Sequence, residues 1–209
     1  MIKYDCDAWK AYPEHRHWFN KLWLATIMGY RCGPCGVAPD VTGEYCVRPI
    51  YNLSGMGVGA QLKVISAGDT TQVPPGYFWT EWFDGVHKTV DYVWDDNRWR
   101  PTNCWIGINK PENLSRFVRW DKTNECMPAP LYMNTLSDVE HINIEFIGSK
   151  VVEVHLRGST DPKATAFVPI WEDQADEIEK FESLGYEFID DYDDADGFLE
   201  IPRLGFCVK

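Results

Sequence analysis

The chain has 209 residues, a hydrophobic fraction of 44% and a formal net charge of -12. That much apolar material suffices for a packed core without metal or disulfide staples, and so acidic a balance works against binding a phosphate backbone. Nucleic acid is therefore not expected as a partner, and no apolar run approaches the roughly 18 residues of a membrane-spanning helix.

The opening residues MIKYDCDAWK lack the apolar centre of a leader peptide, and the seven cysteines are odd in number. Together these predict a cytoplasmic protein with free thiols. From Glu14 to Met28, Trp18, Leu22, Ala25 and Ile27 recur at helical spacing, and Gly29 stops the helix. The Gly- and Pro-rich stretch 33–43 reads as a loop into a strand from Glu44 to Ile50, which NLSGMGVGA separates from a returning strand, Ala60 to Ile65.

A polar loop through Pro74 and Gly76 leads to the aromatic run Tyr77 to Phe83. A second hairpin joins Lys88–Trp94 to Trp99–Pro101 through Asp95, Asp96 and Asn97. The segment 111–119 has weak helical character, and 135–140 reads as a turn. After residue 171 an acidic-faced helix ends at Gly185, and DDYDDADG follows as a solvated acidic loop. The whole is an α+β mosaic.

In HINIEFIGSKVVEVHLR both flanks alternate, so His141, Asn143 and Glu145 share one face of the first strand, and Val151, Glu153, His155 and Arg157 one face of the second. A two-residue turn would pair Glu145 with Val152 and set the polar groups on different faces. A three-residue loop, Gly148 to Lys150, aligns Glu145 with Glu153 and Asn143 with His155. Like charges facing each other in a sheet call for a cation, and magnesium is held by one or two carboxylates plus phosphates. On the pattern alone, a solvated hairpin with its glutamates paired to Arg157 or a lysine is equally open.

In EYCVRPIYNLSGMGVGA a strand delivers Arg48 ahead of Gly55, Gly57 and Gly59, which permit positive φ and an amide cradle for phosphate. The spacing is neither a Walker loop nor a dinucleotide fingerprint, and alone it also suits a tight turn.

The order of these pieces, from about residue 41 to 160, resembles the ATP-grasp superfamily. VRPIYNLSGMGVGA is similar to its basic strand and mobile glycine loop, with Arg48 where lysine is usual and Met56 among the loop residues. YFWTEWFDGVHKTVDYV is similar to its hinge strand, where Glu81, Trp82, Phe83 and Asp91 match positions that meet the nucleoside. IEFIGSKVVEVHLR is similar to its metal hairpin, with Glu145, Glu153 and Arg157 in place and His155 where asparagine is usual.

The resemblance implies an ATP-grasp fold of two lobes, each with an antiparallel sheet and helices, and nucleotide bound between them. Residues 1–40 would be an N-terminal helix and loop, 41–80 the small lobe and 81–209 the large lobe. It implies ATP and Mg2+ as cofactors, with Mn2+ as the alternative that His155 raises. Glu145, Glu153 and His155 would be the metal ligands, and Arg48 and Arg157 the catalytic cations.

The implied activity is an ADP-forming ligase that joins a small-molecule or peptide carboxylate to an amine through an acyl phosphate. A small-molecule kinase and a nucleotide-binding module without turnover are the alternatives. About 40 residues precede the glycine-loop strand, fewer than the family's usual N-terminal domain, so either the chain is a minimal version or a second copy, a partner subunit or a macromolecule completes the acceptor site. Arg116, Arg119, His15, Arg16 and His17 are acceptor-side cations that their spacing does not rank. Cys32-Gly-Pro-Cys35 lacks the further ligands of a zinc site, and most tryptophans fall at core positions.

Overall fold

The computed structural model describes residues 2–110 and 113–209. Its strands fall into two sheets in which neighbours run antiparallel. The smaller contains β1 (Cys32–Pro34), β2 (Gly43–Pro49), β3 (Gln61–Ile65) and β4 (Tyr77–Glu81), in the order β1-β4-β2-β3. The predicted strands around 44–50 and 60–65 thus pair with each other, and β1 joins them from a segment read as loop. Tyr45, Val47, Ile65, Val73 and Trp79 form this sheet's core. Trp79 donates from its indole to the Val37 carbonyl (2.7 Å), which supplies the partner a buried indole N–H needs.

The larger sheet contains β5 (His87–Asp95), β6 (Arg98–Lys110), β7 (Asn113–Lys122), β8 (His141–Ile147), β9 (Lys150–His155), β10 (Ala166–Trp171), β11 (Glu187–Asp193) and β12 (Arg203–Val208). Their order is β11-β12-β10-β7-β6-β5-β8-β9. The β5–β6 hairpin turns on Asp96 and Asn97, whose φ values of 49° and 58° are those of a type I′ turn. The helix expected over 111–119 is not formed. Residues 111 and 112 lie outside the described residues, and the rest belongs to β7, because cross-strand pairing with β6 overrides a weak local preference.

The predicted helix 14–28 is three pieces. After α1 (Asp5–Ala11) come a 3-10 helix (Pro13–Phe19) and α2 (Lys21–Ile27). Asn20 breaks the run with an extended backbone, and its side chain accepts from the Trp23 amide (2.8 Å) to cap α2. Ala8, Trp18, Phe19 and Leu24 then enter the main core with Val90, Tyr92, Ile142, Ile144, Phe146 and Val154. These elements pack along β9, the edge strand of the large sheet, and shield it from further pairing.

After β10 a short 3-10 turn leads to α3 (Glu177–Ser183), which ends at Gly185 with φ +82°. The acidic run read as a solvated loop supplies Asp190, Asp191 and Asp193 to β11, a sheet edge. Cys104 and Cys126 form a disulfide, with Cα atoms 5.4 Å apart, so not all seven cysteines are thiols. Among the described residues no helix is long and apolar enough to cross a membrane.

Candidate functional site

The face of the large sheet turned toward the small sheet is built row by row from strand register. Glu153, Glu145, Thr89 and Trp105 form one row across β9, β8, β5 and β6, and His155, Asn143, Asp91 and Asn103 form the next. Further along, Trp105, Trp120, Phe167 and Phe206 make an aromatic floor. Gly107 leaves room for it, since a methyl group there would meet the Phe117 ring at 2.7 Å and the Trp120 ring at 2.8 Å.

Glu145 faces Glu153, and Asn143 faces His155, the alignment expected of a three-residue loop. The device is different. Ile147 pairs with Lys150, so the turn is two residues, Gly148 and Ser149, and Val152 is an extra, bulged residue that restores the alignment. A bulge leaves a backbone group off the ladder, and Arg48 of β2 takes it, donating from Nη2 to the Val152 carbonyl (2.9 Å). Arg48 also lies over the Phe78 ring, 5.4 Å from its centroid.

Each carboxylate of the pair already meets a cation or imidazole. The Lys21 ammonium bonds Glu153. His87 Nε2 lies 3.1 Å from Glu145 Oε2, and His155 Nε2 lies 3.5 Å from Glu145 Oε1 and 3.8 Å from Glu153 Oε1. On its other side His155 Nδ1 meets Asp5 Oδ2 of α1 at 2.7 Å. Arg157 Nε stands 2.8 Å from Asp5 Oδ1, too oblique for a hydrogen bond, so that pair is held by charge alone.

The electrostatics follow from this crowding. Burial pulls the His155 imidazolium down, but the charges of Asp5 and Glu153 and the bonds to Asp5 and Glu145 lift it to about 10. Burial pushes the Asp5 carboxyl up, yet His155, Arg157 and Lys21 hold it at about 2. Enclosure likewise raises Glu145, and its hydrogen bonds to His155 and His87 overcome this and keep it well below the usual carboxylate range. Three carboxylates (Asp5, Glu145, Glu153) thus balance three cations (Lys21, His155, Arg157).

As oxygen donors, Glu145 and Glu153 fit a hard divalent ion. They stand side by side with side chains 29% and 16% exposed, and Lys21 is a stand-in cation between protein and cleft. His155, the third ligand expected from sequence, turns its Nε2 toward both carboxylates, while its Nδ1 is taken up by Asp5. Ligand atoms of Asp5, Glu153 and His155 also come within 4.8 Å of one another, with Lys21 on Glu153 and Arg157 beside Asp5.

The glycine loop has left-handed backbone at Gly55 (72°), Met56 (58°), Gly57 (62°) and Gly59 (79°). The large sheet's far end holds it in two places. Ser54 donates to Asp196 (2.9 Å), and Met56 Sδ lies 3.4 Å from Arg203, whose guanidinium covers Phe206 at 4.3 Å. The hinge connects β4 to β5. There Glu81 accepts from the Arg31 amide (3.0 Å), the Trp82 amide donates to Glu44 (3.2 Å), and Phe83 packs on Tyr30. Asp91 is buried away from the hinge and accepts from Asn143 (3.0 Å) and the Ser159 amide (2.7 Å), tying β5 to the hairpin.

Lys21, Asp5, His87 and Arg203 escaped the sequence reading. His87 was accessible to it, because His87, Thr89 and Asp91 alternate onto one face of β5. The acceptor-side cations have partners of their own, Arg116 with Asp173, Arg119 with Asp121, His15 with Asp138 and Arg16 with the Trp9 carbonyl, while His17 packs on Trp23. A cavity of about 310 Å3 opens between β7 and β10 beside Arg116, Trp171 and Phe181, three strands from the hairpin.

No protein-family model matches the chain, and no curated protein matches it in sequence. Solved structures do match in fold. Carboxyaminoimidazole ribonucleotide synthase from Aspergillus clavatus, complexed with ATP, superposes with a TM-score of 0.56 at 8% identity, over 83% of this chain and 63% of that one. N5-carboxyaminoimidazole synthetase from Staphylococcus aureus, complexed with ADP, gives 0.50 at 8% identity, over 90% and 66%. An ATP-grasp ligase solved with a minimal precursor gives 0.42 at 9% identity, over 71% and 54%. The chain spans between 54% and 66% of the length of these three structures. Its architecture is the ATP-grasp fold, α+β with two antiparallel sheets.

Proposed function

We propose that this chain, with its ATP-grasp fold, binds ATP in the cleft between its sheets and acts as an ADP-forming ligase joining a carboxylate to an amine or another nucleophile. The observation that carries the reading is the facing pair Glu145 and Glu153, with Arg48 reaching the same hairpin from the small sheet. Two fold neighbours complexed with ATP and with ADP support the choice of nucleotide.

In this reading residues 41–80 are the small lobe, 81–209 the large lobe, and 1–40 a segment that completes the site through Asp5 and Lys21. The amides of Gly55, Met56, Gly57 and Gly59 cradle the phosphates, and Arg48 and Arg203 add fixed charge beside them. Glu81, Trp82 and Phe83 hold the nucleoside, while Asp91 positions the hairpin through Asn143. Glu145 and Glu153 would hold magnesium, or manganese, whose charge when bound offsets that of the β- and γ-phosphates.

A carboxylate oxygen of the acceptor attacks the γ-phosphorus and ADP leaves. The amine then attacks the acyl carbon, phosphate leaves with the bonding pair, and the amine proton passes to solvent. Arg157 faces the transferred group, and the protein's part is placement and charge rather than covalent chemistry.

A second reading, a nucleotide-binding module without turnover, is favoured by one observation: Lys21 and His155 already neutralise the hairpin. The test is a titration of ATP against wild type and Glu153→Gln, with and without magnesium, followed by an assay of ADP release with candidate acids and amines. Magnesium-dependent tightening that Glu153→Gln abolishes supports the metal hairpin, and equal affinity in all four mixtures sinks it. Amine-dependent ADP release supports the ligase, acceptor phosphorylation a kinase, and binding without release the module.

A further inference from the structure

Lys21 is the first residue of α2, placed there by the Asn20 cap, and its side chain is only 7% exposed. A buried ammonium needs a charged partner, and Glu153 provides it. The main chain at this point is fastened to the small sheet. The Lys21 amide donates to the Ile50 carbonyl (2.9 Å), and Asn20 Nδ2 donates to the Tyr51 hydroxyl (3.0 Å). Ile50 and Tyr51 follow β2 and form the stem of the glycine loop, which Asn52 then shapes by donating to the Gly55 carbonyl (2.8 Å). One short segment therefore touches both a carboxylate of the facing pair and the stem of the loop above it.

We infer that Lys21 is a resident counter-cation of the Glu145–Glu153 pair, which must withdraw from Glu153 before a divalent ion can bind both carboxylates. This rests on the nucleotide–metal reading of the hairpin. The physical reason is competition for one oxygen set. With Lys21 seated, a divalent ion would meet a fixed positive charge at contact distance on Glu153. With Lys21 withdrawn, Glu153 keeps only His155 at 3.8 Å, which it shares with Glu145, and the pair is left short of positive charge. The Lys21 main chain stays bonded to the loop stem while the ammonium, on its flexible four-carbon stem, swings off Glu153. Lys21 then gates metal loading.

The test uses manganese alone, without nucleotide, titrated by electron paramagnetic resonance into the full chain and into Lys21→Met, Lys21→Arg, Glu153→Gln and the Lys21→Met/Glu153→Gln double variant. Removing the competing charge is expected to tighten manganese binding about tenfold in Lys21→Met. Lys21→Arg should stay at the wild-type value, and Glu153→Gln should weaken binding in either background. If Lys21→Met binds no more tightly than wild type while Glu153→Gln still weakens it, the gate is wrong and the metal site stands. If Glu153→Gln changes nothing in either background, the metal reading falls and the gate with it.

Lys21→Met leaves Glu153 without its partner, so a second measurement uses the wild type only. Amine acylation read by mass spectrometry should leave Lys21 protected in the metal-free protein. On manganese saturation its labelling should rise toward that of the exposed Lys10. Continued protection of Lys21 while manganese is bound overturns the proposal.

Discussion

An imidazole with carboxylates on both of its edges is held as a cation, and at His155 this has a consequence for stability. Its pKa is lifted from 6.5 to about 10 in the folded protein, so the folded state binds its proton more tightly than the unfolded state does. The contribution is therefore fully present below 6.5 and is lost as pH rises through 10. Asp5 has the opposite sign. Lowered from 3.8 to about 2, it contributes fully above 3.8 and its share is lost as pH falls through 2. Urea unfolding of the metal-free protein should thus show a stability plateau between pH 3.8 and 6.5 and an alkaline decline of a few kcal/mol. In His155→Gln the alkaline limb should flatten, with overall stability lower by about 3 kcal/mol because Asp5 keeps only Arg157 and Lys21. An unchanged alkaline slope in the variant would show that another group titrates. The sequence identified His155 as the odd residue of the hairpin but not its role, because its partner lies 150 positions away and no local periodicity encodes such a contact. Lys21 was hidden for the same reason, although pairing of the glutamates with a lysine was a reading that the alternation left open.

At the scale of elements, the hairpin was legible because the side-chain period of a strand is two, which 141–147 and 153–157 obey, while Val151, expected on the face of Glu153, pairs with Phe146 and packs into the main core instead. The bulge at Val152 was not legible, since a two-residue turn with a bulge and a three-residue loop give one alignment of Glu145 with Glu153. The break at Asn20 lay within an apolar period that runs through both helical pieces. Residues 190–193 looked like a loop because of their charge, yet charge is how an exposed edge strand resists pairing with another chain. The hairpin's turn is fitted to the hinge. The Gly148 amide donates to the Val86 carbonyl (2.9 Å), and a methyl group on Gly85 would stand 2.8 Å from Gly148 Cα and N, at a φ of +140°. Backbone cannot yield there as a flexible side chain would. Gly85→Ala should lower stability by about 2–4 kcal/mol and weaken nucleotide binding by spreading hinge and hairpin apart. Gly36→Ala is the matched control, with positive φ but open space around it, and should cost about 1 kcal/mol. Equal melting temperatures for the two variants would mean that the close approach is not needed.

For the whole molecule, the large sheet forms the floor of the proposed cleft, and a disulfide fixes one part of it. The Cys104–Cys126 disulfide fastens β6 to the loop after β7, across a sequence separation of 22. That loop roofs the main core, with Met127 and Ala129 packed against it and the Met127 carbonyl accepting from the buried Tyr92 hydroxyl (2.6 Å). Reading seven cysteines as thiols because seven is odd overlooked that one bridge and five thiols also make seven. Closing a loop of this length restricts the unfolded chain and is worth about 3 kcal/mol, which for a chain of this size corresponds to a melting-temperature change of roughly 6–12 °C. Alkylation after unfolding without reductant should therefore modify Cys6, Cys32, Cys35, Cys46 and Cys207 and leave Cys104 and Cys126 unmodified, as peptide masses will report. Prior reduction should expose all seven and lower the melting temperature by that amount, and Cys104→Ser/Cys126→Ser should melt like the reduced wild type. The reduced protein should also bind nucleotide less tightly, because Cys104 adjoins Trp105 of the aromatic floor and loosening β6 there disturbs the row that ends at Glu153. Alkylation of all seven cysteines without reductant, or a melting temperature indifferent to reduction, would remove the disulfide from this account of the cleft.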